Sequence, residues 1–394
     1  MSLGGQRHPP DLWDGALKFY IRRWVCYHIY NNLAKGKLSG VNLGERDSQN
    51  RLLPVVANTA AQSWLKGERM SGKTMEIRVG AWEGWQCSRR AFIASSAAAL
   101  ALLALPSPPA LAGDMRVQSR VLPIGWYPAS EASTKAEIEK FVSGVSPLAA
   151  DTQVFGGIVP HAGWDFSGKL AARVFYLTAK LTQPQVVAVF GGHLGGDSPL
   201  LLVTNDAWET PLGNLPLATE FYAPLKQRLT LEEDDPRENS IEVQLPMVKY
   251  FFPKAKVLAL RVPPSEKALE LGEAVVAVAQ ELKVSLLGFG STDLTHYGLN
   301  YGWAPKGYGP EAVKWVKEVN DKEFVDAALK LDASTLLKLA ARDQCACSAG
   351  AAAAAIVAAK KLGANKAHLV DYYTSYDIMP GDSFVGYMGA VLEG

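Results

Sequence analysis

Val154-Phe155-Gly156-Gly157-Ile158-Val159-Pro160-His161-Ala162-Gly163 decides the fold of this chain. Six residues with no charge and no turn former except two glycines read as a strand buried on both faces, which is the pattern of a strand covered by helices. The strand runs without a loop into Pro160-His161, so an imidazole sits at its carboxyl end, where ligands collect in open α/β sheets. Outward from this point helix and strand patterns alternate. The spacing of Leu170, Val174 and Leu177 predicts a helix over 168–180, and strands are expected at 186–190 and 256–260. A hairpin is expected from 200–203 returning at 207–210. Further helices are expected at 135–145, 218–229, 240–251, 265–282, 311–331 (broken near Asp321), 333–341 and 350–362. A strand at 284–289 and two closing strands at 368–374 and 383–392 complete the series. Such alternation predicts an α/β fold, a mixed sheet covered by helices in a single compact domain over 113–394.

The front of the chain reads differently. Ser88-Arg89-Arg90-Ala91-Phe92-Ile93 leads into an apolar run from Ala94 to Leu105, then prolines, then Ala110-Leu111-Ala112. Charged start, apolar middle and small residues before a cleavage point form an export signal, here over 75–112 and of the twin-arginine type. The run is shorter than the ~20 residues a membrane-spanning helix needs, so no stable span is expected after cleavage. The expected destination is the periplasm or the exterior, with the twin-arginine export machinery as a partner. Residues 1–74 show no sustained period and read as a mis-assigned start or a disordered leader, with Met70 and Met75 as alternative starts.

Charge is unevenly divided. Residues 1–113 hold 14 basic and 7 acidic side chains, leaving 26 basic and 32 acidic in the rest. An acidic body of this kind argues against nucleic acid as a partner. With 48% hydrophobic residues the chain can bury a core, and four cysteines are too few for a disulfide framework.

Chemistry concentrates at three strand ends and one helix start. His161 is the first. His193, in Phe190-Gly191-Gly192-His193-Leu194-Gly195-Gly196, follows a second strand among glycines that allow close backbone approach. Past a third strand, Ser291-Thr292-Asp293-Leu294-Thr295-His296-Tyr297-Gly298 sets a carboxylate three residues from an imidazole, a pair suited to proton transfer, with helix capping by Thr292 or Asp293 as its structural alternative. Cys345-Ala346-Cys347-Ser348 precedes an Ala-rich helix, where a thiolate is favoured, although the two thiols could instead be buried or joined to each other. Two imidazoles and one thiolate suit Fe, Cu or Zn and not Mg or Ca.

Pro160-His161-Ala162-Gly163, Glu238-Asn239-Ser240-Ile241-Glu242-Val243-Gln244-Leu245-Pro246, Ser291 to Gly298, and Gly381-Asp382-Ser383-Phe384-Val385-Gly386-Tyr387 together resemble the Memo family, including the bacterial AmmeMemoRadiSam system protein B. The resemblance covers about Leu122 to Leu392. It implies a fold like that of the LigB-type class III extradiol dioxygenases and a redox-active iron or copper site. Carried over by motif, the metal ligands are His161, His193 and Cys347, with Cys345 as the fallback, and the acid/base pair is His296 with Asp293 orienting it. Glu238 and Glu242 fall near the pocket. The sequence departs from the family at Asn239, where His is frequent, and at the Phe190-Gly191-Gly192 approach to His193. A metal-dependent oxidoreductase acting on a small oxygen-bearing substrate is one functional expectation; a non-catalytic module that holds a metal or a peptide on the same fold is the other.

Overall fold

The structure, a computed structural model, describes residues 115–394 and, ahead of them, three short strands. The chain divides into two units between Pro108 and Pro109. In the first unit Asn42–Arg46 pairs antiparallel with both Leu52–Pro54 and Met75–Arg78. At three to five residues each, these strands are too short for alternation to register in the sequence. The rest of the 1–74 leader and of the 75–112 export segment lies outside the described residues.

The second unit is built on four parallel strands, Val154–Val159, Val186–Gly191, Lys256–Arg261 and Leu286–Ser291. Leu286–Ser291 lies between the first two, and Lys256–Arg261 pairs with Val186–Gly191 on its other side. On one flank Leu200–Val203 pairs antiparallel with Lys256–Arg261 and parallel with Leu231–Asp234. On the other, Ser383–Glu393 runs antiparallel to Val154–Val159 and also pairs antiparallel with Lys366–Thr374 and with His296–Gly298. The result is a nine-stranded mixed sheet.

Helices cover both faces, as the doubly apolar strands require. Along Val186–Gly191, Val186, Ala188 and Phe190 join one apolar cluster while Val187 and Val189 join the other, the two-residue alternation of a strand with two buried sides. One cluster includes the helices Glu266–Leu282 and Ala349–Leu362. The other includes Glu131–Val142, Lys169–Leu181 and Leu245–Phe251. The Ala-rich helix is buried almost along its whole length, and alanine lets it approach closely. A Cβ on Gly290 would lie 2.7 Å from the backbone of Ala351 and Ala352, and one on Gly272 would lie 2.6 Å from the Ala354 carbonyl oxygen.

Several local expectations are corrected. The hairpin from 200–203 does not form: Leu200–Val203 belongs to the main sheet, while Ala207–Trp208 pairs with Val117–Gln118 and Leu215–Pro216 in a separate three-stranded sheet. Asp206 turns the chain away by accepting the Arg116 backbone N–H at 2.8 Å. The helix expected over 240–251 is two pieces, Asn239–Glu242 and Leu245–Phe251, with Pro246 in the first turn of the second. Near Asp321 the expected break is a π-helical stretch, Val316–Asn320, leading into Asp321–Leu329. The acidic strand Leu231–Asp234 and the short strand His296–Gly298 carry no apolar alternation and escape sequence reading.

One carboxylate is buried beneath this framework. Asp321 is fully inaccessible; it accepts the Thr295 backbone N–H at 3.1 Å, the Thr295 hydroxyl, and the Tyr372 hydroxyl at 2.8 Å. Asn320 donates to Thr295 Oγ1 at 2.8 Å and to the Asp343 carbonyl at 3.2 Å. Together they tie the segment after Asp293 to the turn before Cys345. Burial pushes the Asp321 carboxyl up to about 6, against the lowering effect of its hydrogen bonds.

Two outcomes follow from this packing. Gly290→Ala should lose about 1–3 kcal/mol, because the atoms its methyl meets are backbone and cannot swing aside; a urea midpoint equal to that of the parent would contradict the close approach. Asp321 binds its proton more tightly folded than unfolded, so its contribution is complete below about pH 4 and is lost as pH rises through about 6. Asp321→Asn should therefore flatten the fall in unfolding free energy between these pH values by on the order of 3 kcal/mol, read by denaturant titration at each pH.

Candidate metal centre

The four parallel strands end at one edge of the sheet, and three of the four ends carry the side chains singled out in the sequence. Val154–Val159 delivers His161 through Pro160, Val186–Gly191 delivers His193 through Gly192, and Leu286–Ser291 delivers Asp293 through Thr292. Gly192 has φ +106°, a left-handed backbone, and a Cβ there would press against Arg261 at 2.8 Å, so glycine is required. The Cys347 turn is stitched to two of these ends. Cys347 N–H donates to the Asp293 carbonyl at 3.2 Å, Ser348 N–H to Thr292 Oγ1 at 3.1 Å, and the Ser348 hydroxyl to the Gly192 carbonyl at 2.9 Å.

These connections bring three donor atoms together. His161 Nε2 lies 3.1 Å from Cys347 Sγ and 3.1 Å from His193 Nε2, and all three ligand atoms fall within 4.8 Å of one another. Cys345 is fully buried and separate from this group.

The hydrogen bonds behind the rings fix which nitrogen faces the centre. Ser291 Oγ donates its proton to the Ser240 carbonyl at 2.5 Å and accepts from Gln244 Nε2 at 3.0 Å. It is therefore an acceptor for His161 Nδ1–H, 3.3 Å away, and the lone pair of His161 is on Nε2. His193 Nδ1–H donates to Glu238 Oε2 at 3.0 Å, which again leaves the lone pair on Nε2. Two lone pairs and a sulfur at these distances repel unless a positive charge lies among them. The 3.1 Å nitrogen-to-nitrogen edge is close to the roughly 3.3 Å expected between two imidazoles bound to one tetrahedral ion at about 2.0–2.1 Å, and the 3.1 Å nitrogen-to-sulfur edge is shorter than the roughly 3.6 Å that a sulfur bond of about 2.3 Å would give. Two imidazoles and a thiolate would suit a soft or borderline metal ion, held by His161, His193 and Cys347.

Without metal, protons supply that charge. Burial would raise the Cys347 thiol, but His161 and His193 hold it well below its ordinary value. Burial would favour neutral His161, yet Cys347 and Asp293 keep it raised. For His193 burial is likewise outweighed, by Cys347 and Glu238, and the imidazole is pushed up to about 10. Glu238, despite burial, is held down to about 2 by His193 and Ser240. Cys345 shows the opposite: burial and the nearby Asp321 and Asp343 carboxylates push its thiol up to about 12.

The acid/base pair is arranged otherwise than the spacing suggests. Asp293 makes no hydrogen bond to His296; its Oδ1 accepts the His161 backbone N–H at 2.6 Å, and its Oδ2 lies 4.0 Å from His161 Nε2. Burial raises the Asp293 carboxyl, with His161 opposing. His296 Nδ1–H donates to the Leu294 carbonyl at 3.0 Å, and its ring meets Tyr301 edge-on at 4.8 Å. A backbone carbonyl, not Asp293, fixes the His296 tautomer. Thr292 and Asp293 do not open a helix, since His296–Gly298 is a strand.

Glu242 does not face the centre. It accepts the Val121 and Leu122 backbone N–H groups at 2.8 and 3.0 Å and the Tyr127 hydroxyl at 2.8 Å, pinning the lead-in segment. Sequence reasoning assigned no role to Ser291 or Gln244, which orient His161. Ser291 was findable as a polar side chain ending an apolar strand; nothing in the sequence marks Gln244.

Residues 124–391 match the family model for Memo-like proteins. A MEMO1 family protein of Thermococcus onnurineus is 30% identical over 282 residues, covering 68% of this chain and 96% of that protein. One of Methanosarcina acetivorans is 33% identical over 279 residues, with the same two shares. One of Methanopyrus kandleri is 33% identical over 249 residues, 60% of this chain and 83% of that protein. With the donor cluster lying inside the matched region, this chain belongs to the Memo family.

Proposed function

We propose that this protein is a metal-dependent oxidoreductase that holds iron or copper through His161, His193 and Cys347 and acts on a small oxygen-bearing substrate. The observation that carries the reading is the orientation of both imidazoles, each with Nδ1–H engaged and Nε2 turned into the cluster that includes the Cys347 sulfur. Bound metal of this kind supplies Lewis acidity and a change of oxidation state. The sulfur and imidazole donors match iron and copper better than magnesium or calcium.

The chain's own residues supply the remaining functions. His161 is 1% exposed, so one side of the centre is closed to water, while His193 at 37% leaves the other side accessible. Burial raises the carboxyl of Asp293 beside His161, and in its protonated form it would give a proton to a substrate oxygen. His296, with Nδ1–H held by Leu294, has Nε2 free to take one up.

Purified protein should contain close to one equivalent of iron or copper. His161→Ala or Cys347→Ser should remove it, while Cys345→Ser should leave it in place. His296→Ala should retain metal and slow turnover by about 10²–10⁴-fold, measured as oxygen consumption with a panel of catechol-like compounds. Full metal content with no oxygen use across the panel would replace this reading with a non-catalytic module that holds metal or peptide. Loss of metal in His296→Ala would make that residue a ligand.

A further inference from the structure

The three donors are held very unequally. His161 is gripped at its backbone N–H by Asp293, at its carbonyl by Asn239 Nδ2 at 2.8 Å, and at its ring by Ser291. Cys347 is fastened through its backbone to Asp293, and the residue after it to Thr292 and Gly192. His193 is different. It lies just past the strand end in a stretch without regular structure that reaches Leu200, and it is the most exposed of the two imidazoles. Outside the centre itself, its ring makes one hydrogen bond, to Glu238.

Glu238 has the contacts of a fixed anchor. Its Oε2 accepts the Ser240 backbone N–H at 2.9 Å as well as His193 Nδ1–H, and its Oε1 accepts the Ser240 hydroxyl at 2.8 Å. Arg261 Nε lies 3.6 Å from the same Oε1, and Arg261 is itself paired with Asp234 at 3.1 Å. Ser240 Oγ in turn accepts the Gly192 backbone N–H at 2.6 Å. The Glu238–Ser240 unit therefore holds the loop twice, at the peptide before His193 and at the ring of His193.

We propose that Glu238 is the positioning residue that makes His193 a metal ligand, and that it sets how tightly the centre holds its metal and how fast the metal leaves by the His193 side. The inference rests on the metal reading above. A carboxylate receiving the second ring N–H of a ligating histidine fixes ring rotation and tautomer, and losing such a partner typically weakens metal binding 10–100-fold. His161 has no comparable dependence on one group, since three separate contacts hold it.

The test uses the full chain stripped of metal and titrated with cobalt(II), whose visible ligand-field absorption reports imidazole geometry and whose near-ultraviolet sulfur-to-cobalt band reports Cys347. Glu238→Ala should bind cobalt about 10–100-fold more weakly and release it faster to a chelator. Its sulfur band should persist while its visible absorption moves toward that of His193→Ala. Glu238→Gln, whose amide oxygen can still accept from His193 and Ser240, should fall between the parent and Glu238→Ala. Circular dichroism of the metal-free variants separates folding from binding. If Glu238→Ala does not fold, Glu238→Gln decides: affinity at least about threefold below the parent supports the proposal, and parity overturns it. Equal affinity, release rate and spectrum in a folded Glu238→Ala overturn the proposal and leave the metal reading standing. A parent protein that binds no cobalt overturns both.

Discussion

Two imidazole nitrogens and a sulfur within 4.8 Å of one another are an electrostatic conflict that a metal ion or shared protons must resolve, and much of the fold serves to impose it. His161 and His193 leave strands that are not neighbours; Leu286–Ser291 runs between them. Strands two places apart lie roughly 10 Å apart, a gap that two facing imidazoles span with ring centroids 4.8 Å apart. The middle strand must then end in something small. It ends in Gly290-Ser291, and the Ser291 hydroxyl fits beneath His161 as its hydrogen-bond acceptor. A bulky residue there would fill the space the rings need.

The third donor comes from the opposite direction and depends on packing instead of pairing. Cys347 stands just before the Ala-rich helix, and that helix lies so close to Leu286–Ser291 that Gly290 has no room for a methyl group. Alanine and glycine on the two facing surfaces lower the helix onto the sheet, and this carries the Cys347 turn to the strand ends. Core packing and site geometry are thus coupled: the same small residues that give a dense interior set the sulfur-to-nitrogen distance. Cys345, two residues earlier, falls beneath the surface near Asp321, and its thiol stays protonated for that reason.

Most of the fold was legible in the sequence because the central strands are apolar on both faces and the helices between them are long enough to show a period. The failures share a cause. Leu231–Asp234 is an outer strand with three acidic residues, and the 200–210 segment looked like a hairpin because two short apolar runs flank Thr204-Asn205-Asp206. In both places long-range pairing decided the outcome. Arg116, about ninety residues away, captures Asp206, and nothing local announces that contact.

At the site, sequence reading reached the donor atoms and missed the groups that aim them. His161, His193 and Cys347 stand out because each follows a strand or precedes a helix, and because few histidines and cysteines are present to choose from. Their supports lie far off in the chain: Ser291 is 130 residues from His161, and Glu238 is 45 from His193. Asp293 shows the error that follows when spacing alone assigns partners. Three residues from His296, it was expected to orient that imidazole, yet the Leu294 carbonyl takes the His296 Nδ1–H, and Asp293 instead holds the backbone of a histidine 132 residues earlier. Proximity in sequence does not set the bonds that these side chains make. Those bonds determine which nitrogen bears the lone pair, and with it whether the cluster binds a metal or only shares a proton.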